Sequence, residues 1–155
     1  MTDPLSISVA ALTITGICIT ITTSIFTYVS KVKAVDEEVH TLESEIAELS
    51  TTLGAVKKTF DDPVLGAIVT NNKFLYNHWK EAKRSMDACE ETLKGLEKLF
   101  EDIASADSGL LKKVEKQIKL FVKNGEMTLC NRRIKAYRTT LKFSLNLIGM
   151  YVPLP

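Results

Sequence analysis

Side chains able to carry covalent or metal chemistry are few and scattered in this sequence. The two histidines, His40 and His78, sit in charged, helix-patterned surroundings with no Cys or His at metal-ligand spacing, and both are expected at the surface. Cys18, Cys89 and Cys130 each fall on an apolar stripe. An odd number of thiols on such faces reads as buried free cysteines in a reducing cytosol, not as a closed disulfide set. Carboxylates such as Glu90, Glu97 and Glu101 share a charged helical face with Lys94, which reads as a solvated surface. Gly16, Gly54, Gly66, Gly95, Gly109, Gly125 and Gly149 are dispersed and form no phosphate-cradling loop. Trp79 belongs to an apolar stripe and is expected in the core. These residues predict no enzyme activity, no cofactor and no metal.

The chemistry that is concentrated is electrostatic. Within a net charge of +1, residues 111–155 carry a surplus of +8, which leaves −7 on residues 1–110. Such a split reads as internal complementarity or as a basic surface for an anionic partner. Lys112, Lys113, Lys116, Lys119, Arg132, Arg133, Lys135 and Arg138 are the candidate contacts for anionic lipid headgroups. Each Lys or Arg near such a surface contributes about 1 kcal/mol. A solvated face, or one that complements the acidic helices, remains the alternative. Nucleic acid is not expected, because no reading motif and no interleaved exposed aromatics accompany the charge.

Opposite in character is residues 5–30, a run of 26 uncharged residues. Roughly 20 apolar residues suffice to cross a bilayer as a helix. Eleven of the 26 are Leu, Ile, Val or Phe, and ten are Ser or Thr, which return part of the insertion free energy. The segment therefore suits a soluble bundle and, if released, lipid. Leu5, Ile7, Val9, Leu12, Ile14, Ile17, Ile21, Ile25 and Phe26 are the candidate insertion residues. Gly16, Thr20 and Ser24, four apart, form a small-residue line that suits close helix contact in lipid or packing inside the soluble fold.

The elements that must position these groups are helices. Ile7, Ala11, Ile14, Cys18, Ile21, Ile25, Tyr28 and Val32 recur at spacings of four and three, and the phase continues through Val39, Leu42, Ile46, Leu49, Leu53, Val56 and Phe60. Alternating Ile17, Ile19 and Ile21 favour a strand locally, but the helical phase persists far beyond strand length. A break is expected near Val35, with Asp36, Glu37 and Glu38 opening the next helix. Asp62-Pro63 is a further helix start, and Asn71-Asn72 an interruption. Leu75, Trp79, Ala82, Met86, Cys89, Leu93, Leu96, Phe100 and Ile103 form the third stripe. A turn at residues 106–109 precedes a short basic helix with Leu110, Val114, Ile118 and Phe121 inward. After Asn124-Gly125 the last helix carries Cys130, Ile134, Tyr137, Leu141, Leu145 and Ile148 on one face. The expected fold is all-α, one domain over residues 1–155: an antiparallel helical bundle of four to five helices with a hydrophobic N-terminal helix. The N-terminus has Asp3 and Pro4 in place of a basic region and no small-residue cleavage site, so no secretory signal is expected.

The opening Met-Thr-Asp-Pro-Leu-Ser-Ile-Ser of residues 1–8, followed by the uncharged segment and Tyr28-Val-Ser-Lys-Val-Lys33, resembles the start of fungal HeLo-like N-terminal domains. Cys89, Thr92, Leu93, Leu96 and Phe100 resemble the third-helix pattern of that family, and Arg132 to Ile148 its last helix. The glycine-spaced contact of some family effectors is reduced here to Gly16 with Thr20 and Ser24. The resemblance implies a helical bundle related to the HeLo domain of incompatibility proteins and to the four-helix domain of the mixed-lineage kinase-like necroptosis executioner. It also implies the N-terminal part of a longer protein, cytoplasmic until activated. The activity it implies is programmed cell death in fungal innate immunity: self-association, relocation to the plasma membrane, insertion of the N-terminal helix and permeabilisation. An upstream receptor acting through a C-terminal region is the implied trigger. The alternative expectation is a non-lytic interaction and oligomerisation module at the N-terminus of a nucleotide-binding receptor.

Overall fold

Three of the helix starts are fixed by short polar residues at the positions the sequence marks. In the computed structural model, which describes the backbone of residues 4–152 and the side chains of residues 6–152, six helices follow in order. They are α1 (Pro4–Lys31), α2 (Glu37–Asp61), α3 (Pro63–Asn71), α4 (Lys73–Phe100), α5 (Ser108–Lys123) and α6 (Glu126–Gly149). The Asp62 carboxylate accepts from the Val64 and Leu65 amides at 2.8 and 3.3 Å, with Pro63 needing no amide partner in the first turn. Asn72 Oδ1 accepts from the Leu75 amide at 3.1 Å and Asp107 Oδ1 from the Leu110 amide at 2.8 Å. Asp36 precedes α2 as expected but makes no side-chain cap. Gly125, with φ of 77°, takes the left-handed conformation that lets α5 stop and α6 begin within two residues.

The interruption expected at Asn71-Asn72 is thus a full break. Asn72 ends one helix and caps the next, which raises the count from the expected four to five helices to six. Four are long, and together they make the bundle. Ser8 near the start of α1 donates to Asp61 at the end of α2, so those two run antiparallel. Tyr28 meets Phe100 edge-on, ring centroids 5.8 Å apart, which makes α1 and α4 parallel. Asn131 and Arg138 of α6 reach Glu38 and Glu45 of α2, again parallel, while His78 of α4 meets Ser144 of α6 in antiparallel sense. Around the bundle the order is α1, α2, α6, α4, with α1 diagonal to α6. α3 crosses the end where α1 begins. α5 crosses the other end, where Lys119 donates to the Ala34 carbonyl between α1 and α2 at 2.7 Å.

Burial follows the sequence periodicity closely. Every residue of the first two stripes, Ile7 through Phe60, is buried except Val35, which is half-buried in the link between α1 and α2. Trp79 is 1% exposed and packs edge-on to Phe60 with centroids 4.6 Å apart. The strand-like alternation of Ile17, Ile19 and Ile21 lies in regular helix. Along α1 each threonine hydroxyl from Thr13 to Thr27 donates to the carbonyl four residues back, at 2.7 to 3.2 Å. That contact absorbs the polar atom that would otherwise compete for backbone partners.

Candidate functional site

Helix α1 is apolar on two sides. Its inner stripe, Ile7, Ala11, Ile14, Cys18, Ile21, Ile25, Tyr28 and Val32, is buried against α2 and α4. Its outer face presents Val9, Leu12, Gly16, Ile19, Thr23 and Phe26 to solvent, with Ile19 61% and Phe26 70% exposed. No charged side chain interrupts that face before Lys31. Of the expected insertion residues, Ile7, Ile14, Ile21 and Ile25 lie inward, Ile17 is half-buried, and Val9, Leu12 and Phe26 lie outward. The Leu5 side chain lies outside the described residues.

The small-residue line faces outward. A Cβ at Gly16 would meet nothing within 4 Å, Thr20 is exposed, and Ser24 is half-buried. Thr20 and Ser24, with Ile19 and Thr23, line one side of an open groove of about 520 Å³ whose other side is Glu97, Glu101 and Ala104. Gly16 is therefore not small in order to admit a neighbouring helix of this bundle.

Polar contacts hold α1 at both ends. The Ser8 hydroxyl donates to Asp61, whose other oxygen pairs with Lys57; these two contacts hold the Asp61 carboxyl below the usual carboxylate range, Lys57 contributing most. At the far end Lys31 Nζ donates to the Ile103 carbonyl at 3.2 Å. Between the ends, contact is apolar apart from the hydrogen bond of Cys18 with Ser50. Because the threonine hydroxyls of α1 bond within the helix and its backbone pairs internally, the helix carries those hydrogen-bond partners with it if it leaves. The span Ser6–Lys31 has 26 residues, its most apolar stretch of 18 has a mean hydropathy of 1.9, and it is the one helix among the described residues long and apolar enough to cross a bilayer.

The thiols divide as their stripes require. Cys18 and Cys89 are buried and free, and Cys130 is half-buried. Burial pushes the Cys18 thiol up to about 11, against a smaller lowering by its hydrogen bond with Ser50. Cys89 is pushed up to about 12, by burial first and then by the nearby Cys18 and Glu90. Both are poor nucleophiles where they sit.

The basic surface is smaller than the sequence suggests. Lys112, Lys113, Lys116, Arg132, Arg133 and Lys135 are exposed. Lys119 is occupied by the Ala34 carbonyl and lies 3.6 Å from Asp36. Arg138 is turned inward, with NH2 3.2 Å from Glu45 and NH1 2.7 Å from Glu48. Both are internal ties: Lys119 joins α5 to the link between α1 and α2, and Arg138 joins α6 to the first half of α2.

Sequence reasoning missed the polar inner side of α6. The expected stripe included Cys130 and Tyr137, which are half-buried; the buried line is Met127, Asn131, Ile134, Leu141, Ser144 and Ile148, with half-buried Arg138 among them. The same spacing of three and four runs through these positions, but its polar members disguise it. His78 corrects a second expectation. It is half-buried, its Nε2 2.8 Å from the fully buried Ser144 hydroxyl, which itself donates to the Thr140 carbonyl. With that proton committed, Ser144 accepts from His78, so Nε2 carries the hydrogen. His40 is exposed. Phe74, His78, Phe143 and Tyr151 also form a surface aromatic cluster that no sequence spacing announces.

Compared with family models, with curated proteins and with solved structures, the chain matches none.

Proposed function

We propose that this chain is a membrane-targeting, membrane-permeabilising cell-death domain of the HeLo-like kind, in which α1 leaves the bundle after self-association and inserts into the plasma membrane. The observation that carries this reading is the outer face of α1, uncharged from Val9 to Ser30 although it borders water. A soluble bundle gains nothing from such a face, and charged residues there would be tolerated. About 20 residues span a bilayer, and α1 supplies 28. The hydroxyls already paired inside the helix lower the cost of its transfer. The exposed lysines and arginines of α5 and the start of α6 attract anionic headgroups. The resemblance of residues 1–8 to fungal HeLo-like domains supports the cell-death setting, with the chain the N-terminal part of a cytoplasmic protein activated through a C-terminal region.

The test is dye release from vesicles containing anionic lipid by the purified chain, alone and forcibly oligomerised. Leakage is expected at least from the oligomer; none at any lipid composition rejects the reading. A second reading, a non-lytic module binding a partner helix, is favoured by the same outer face, since a helix of suitable shape also covers apolar surface. Thr20→Lys and Thr23→Lys separate the two, because both side chains are exposed. Leakage lost with folding intact indicates insertion, whereas a chain that never causes leakage and loses a partner helix on these substitutions indicates the module.

A further inference from the structure

The end of the bundle where α1 begins is chemically unlike the other end. Phe74 and Phe143 are 56% and 57% exposed, and Met150 beside them in the chain's last described turn is 77% exposed. The Phe74 ring lies 6.4 Å from both His78 and Tyr151, and His78 lies 5.7 Å from Phe143, so the four rings make one continuous surface across α4 and α6. The His78–Ser144 hydrogen bond fixes its centre.

Charge around this surface is mostly positive among the described residues. Residues 63–80 and 127–155 contain no carboxylate. Lys73 and Lys142 directly precede Phe74 and Phe143, and Lys80 follows within two turns. All three are exposed and form no ion pair with the described residues. Among the described residues the nearest carboxylates of this end are engaged: Asp61 by Lys57 and Ser8, Asp62 by the amides at the start of α3, and Glu81 by Arg84 at 2.9 Å.

We propose that the folded bundle first seats end-on against an anionic bilayer through this aromatic cluster, with Lys73, Lys80 and Lys142 meeting the headgroups. Aromatic side chains favour the headgroup level of a membrane, and lysines reach outward from it by their own stems. Three cations without counter-ions match a lipid surface of negative charge and give an apolar protein groove nothing to pair with. The seat brings the first turn of α1 to the lipid. The basic α5 lies near the other end of α1, about 40 Å away at 1.5 Å per residue, and does not reach the same plane while the bundle stands. This inference rests on the proposed membrane activity but concerns the step before release.

The test is vesicle flotation of the intact chain with phosphatidylcholine–phosphatidylserine vesicles under conditions that give no leakage. The Phe74→Ser/Phe143→Ser variant is expected to bind about tenfold more weakly, and Ala88→Ser, at an exposed position of α4 away from the cluster, to change binding less than about threefold. Emission from buried Trp79 reports that each variant is folded. In a Trp79→Phe background, Phe143→Trp is expected to shift its emission to the blue on vesicle addition. Equal flotation of the aromatic variant and the unmodified chain, failure of the unmodified chain to float, or an unshifted Phe143→Trp emission overturns the proposal. So does an aromatic variant that floats normally but loses a self-associated form, which would make the cluster a contact between copies. Flotation without later leakage leaves this seat standing and removes the proposed permeabilisation.

Discussion

Helices α1 and α4 are a natural pair for comparison. Each has 28 residues, they run parallel as neighbours, and each buries a stripe at spacings of three and four that includes one cysteine and ends near the Tyr28–Phe100 contact. The fold therefore asks the same of both. Their outer faces differ completely: α4 exposes Lys80, Glu81, Arg84, Asp87, Glu91, Lys94 and Lys98, whereas α1 exposes Val9, Leu12, Ile19, Phe26 and threonines. Since α4 shows that a charged outer face is compatible with this bundle, the fold itself does not require the apolar face of α1.

The inner stripes should behave alike. Ile21→Ala in α1 and Leu93→Ala in α4, both fully buried, are each expected to cost about 2–5 kcal/mol in urea unfolding. A loss confined to α4 would show that α1 contributes little to the folded state and break the comparison. The polar tie of α6 gives a smaller effect by a different cause. Arg138→Ala leaves Glu45 without its partner in a largely buried position and is expected to cost about 1–3 kcal/mol.

The outer faces should separate the two helices. Ile19→Lys in α1 and Ala88→Lys in α4 are both at exposed positions, and each is expected to change folding stability by less than about 0.5 kcal/mol. Only Ile19→Lys should suppress vesicle leakage, because a lysine near the centre of a spanning helix costs about 2.5–3.5 kcal/mol. Equal leakage from the two variants would remove the functional meaning of the comparison.

The smallest effect concerns the start of α1. Asp61 is held below its ordinary range by Lys57 and Ser8, so the stabilisation from this tie is fully present above the unfolded carboxylate's range. It is lost as pH falls through the lowered value, and hydrogen exchange in the first turns of α1 should then quicken. Ser8→Ala should flatten part of that pH dependence, leaving the part due to Lys57.

Much of this was legible in the sequence because the core is built from simple periodicity. Ile7 to Phe60 and Leu75 to Ile103 needed only the helical spacing, and Asp62-Pro63 and Asn124-Gly125 needed only cap and turn chemistry. What was not legible depends on which helix meets which. Arg138 and Lys119 read as surface cations until α2 is placed beside α6 and the α1–α2 link beside α5. His78 read as a surface histidine because Ser144, its partner, lies 66 residues away. The outward direction of Gly16 and Thr20 likewise depended on α1 occupying a corner with only α2 and α4 beside it.

Burial of Cys89 in the region that α1 covers gives the most direct measurement. In a Cys18→Ala/Cys130→Ser chain, whose one thiol is Cys89, maleimide labelling should be negligible in buffer, where the thiol is 1% exposed and pushed up to about 12. Under conditions that produce vesicle leakage, labelling should become rapid, in step with dye release. Leakage with Cys89 still protected would mean that α1 never leaves, and would contradict the account.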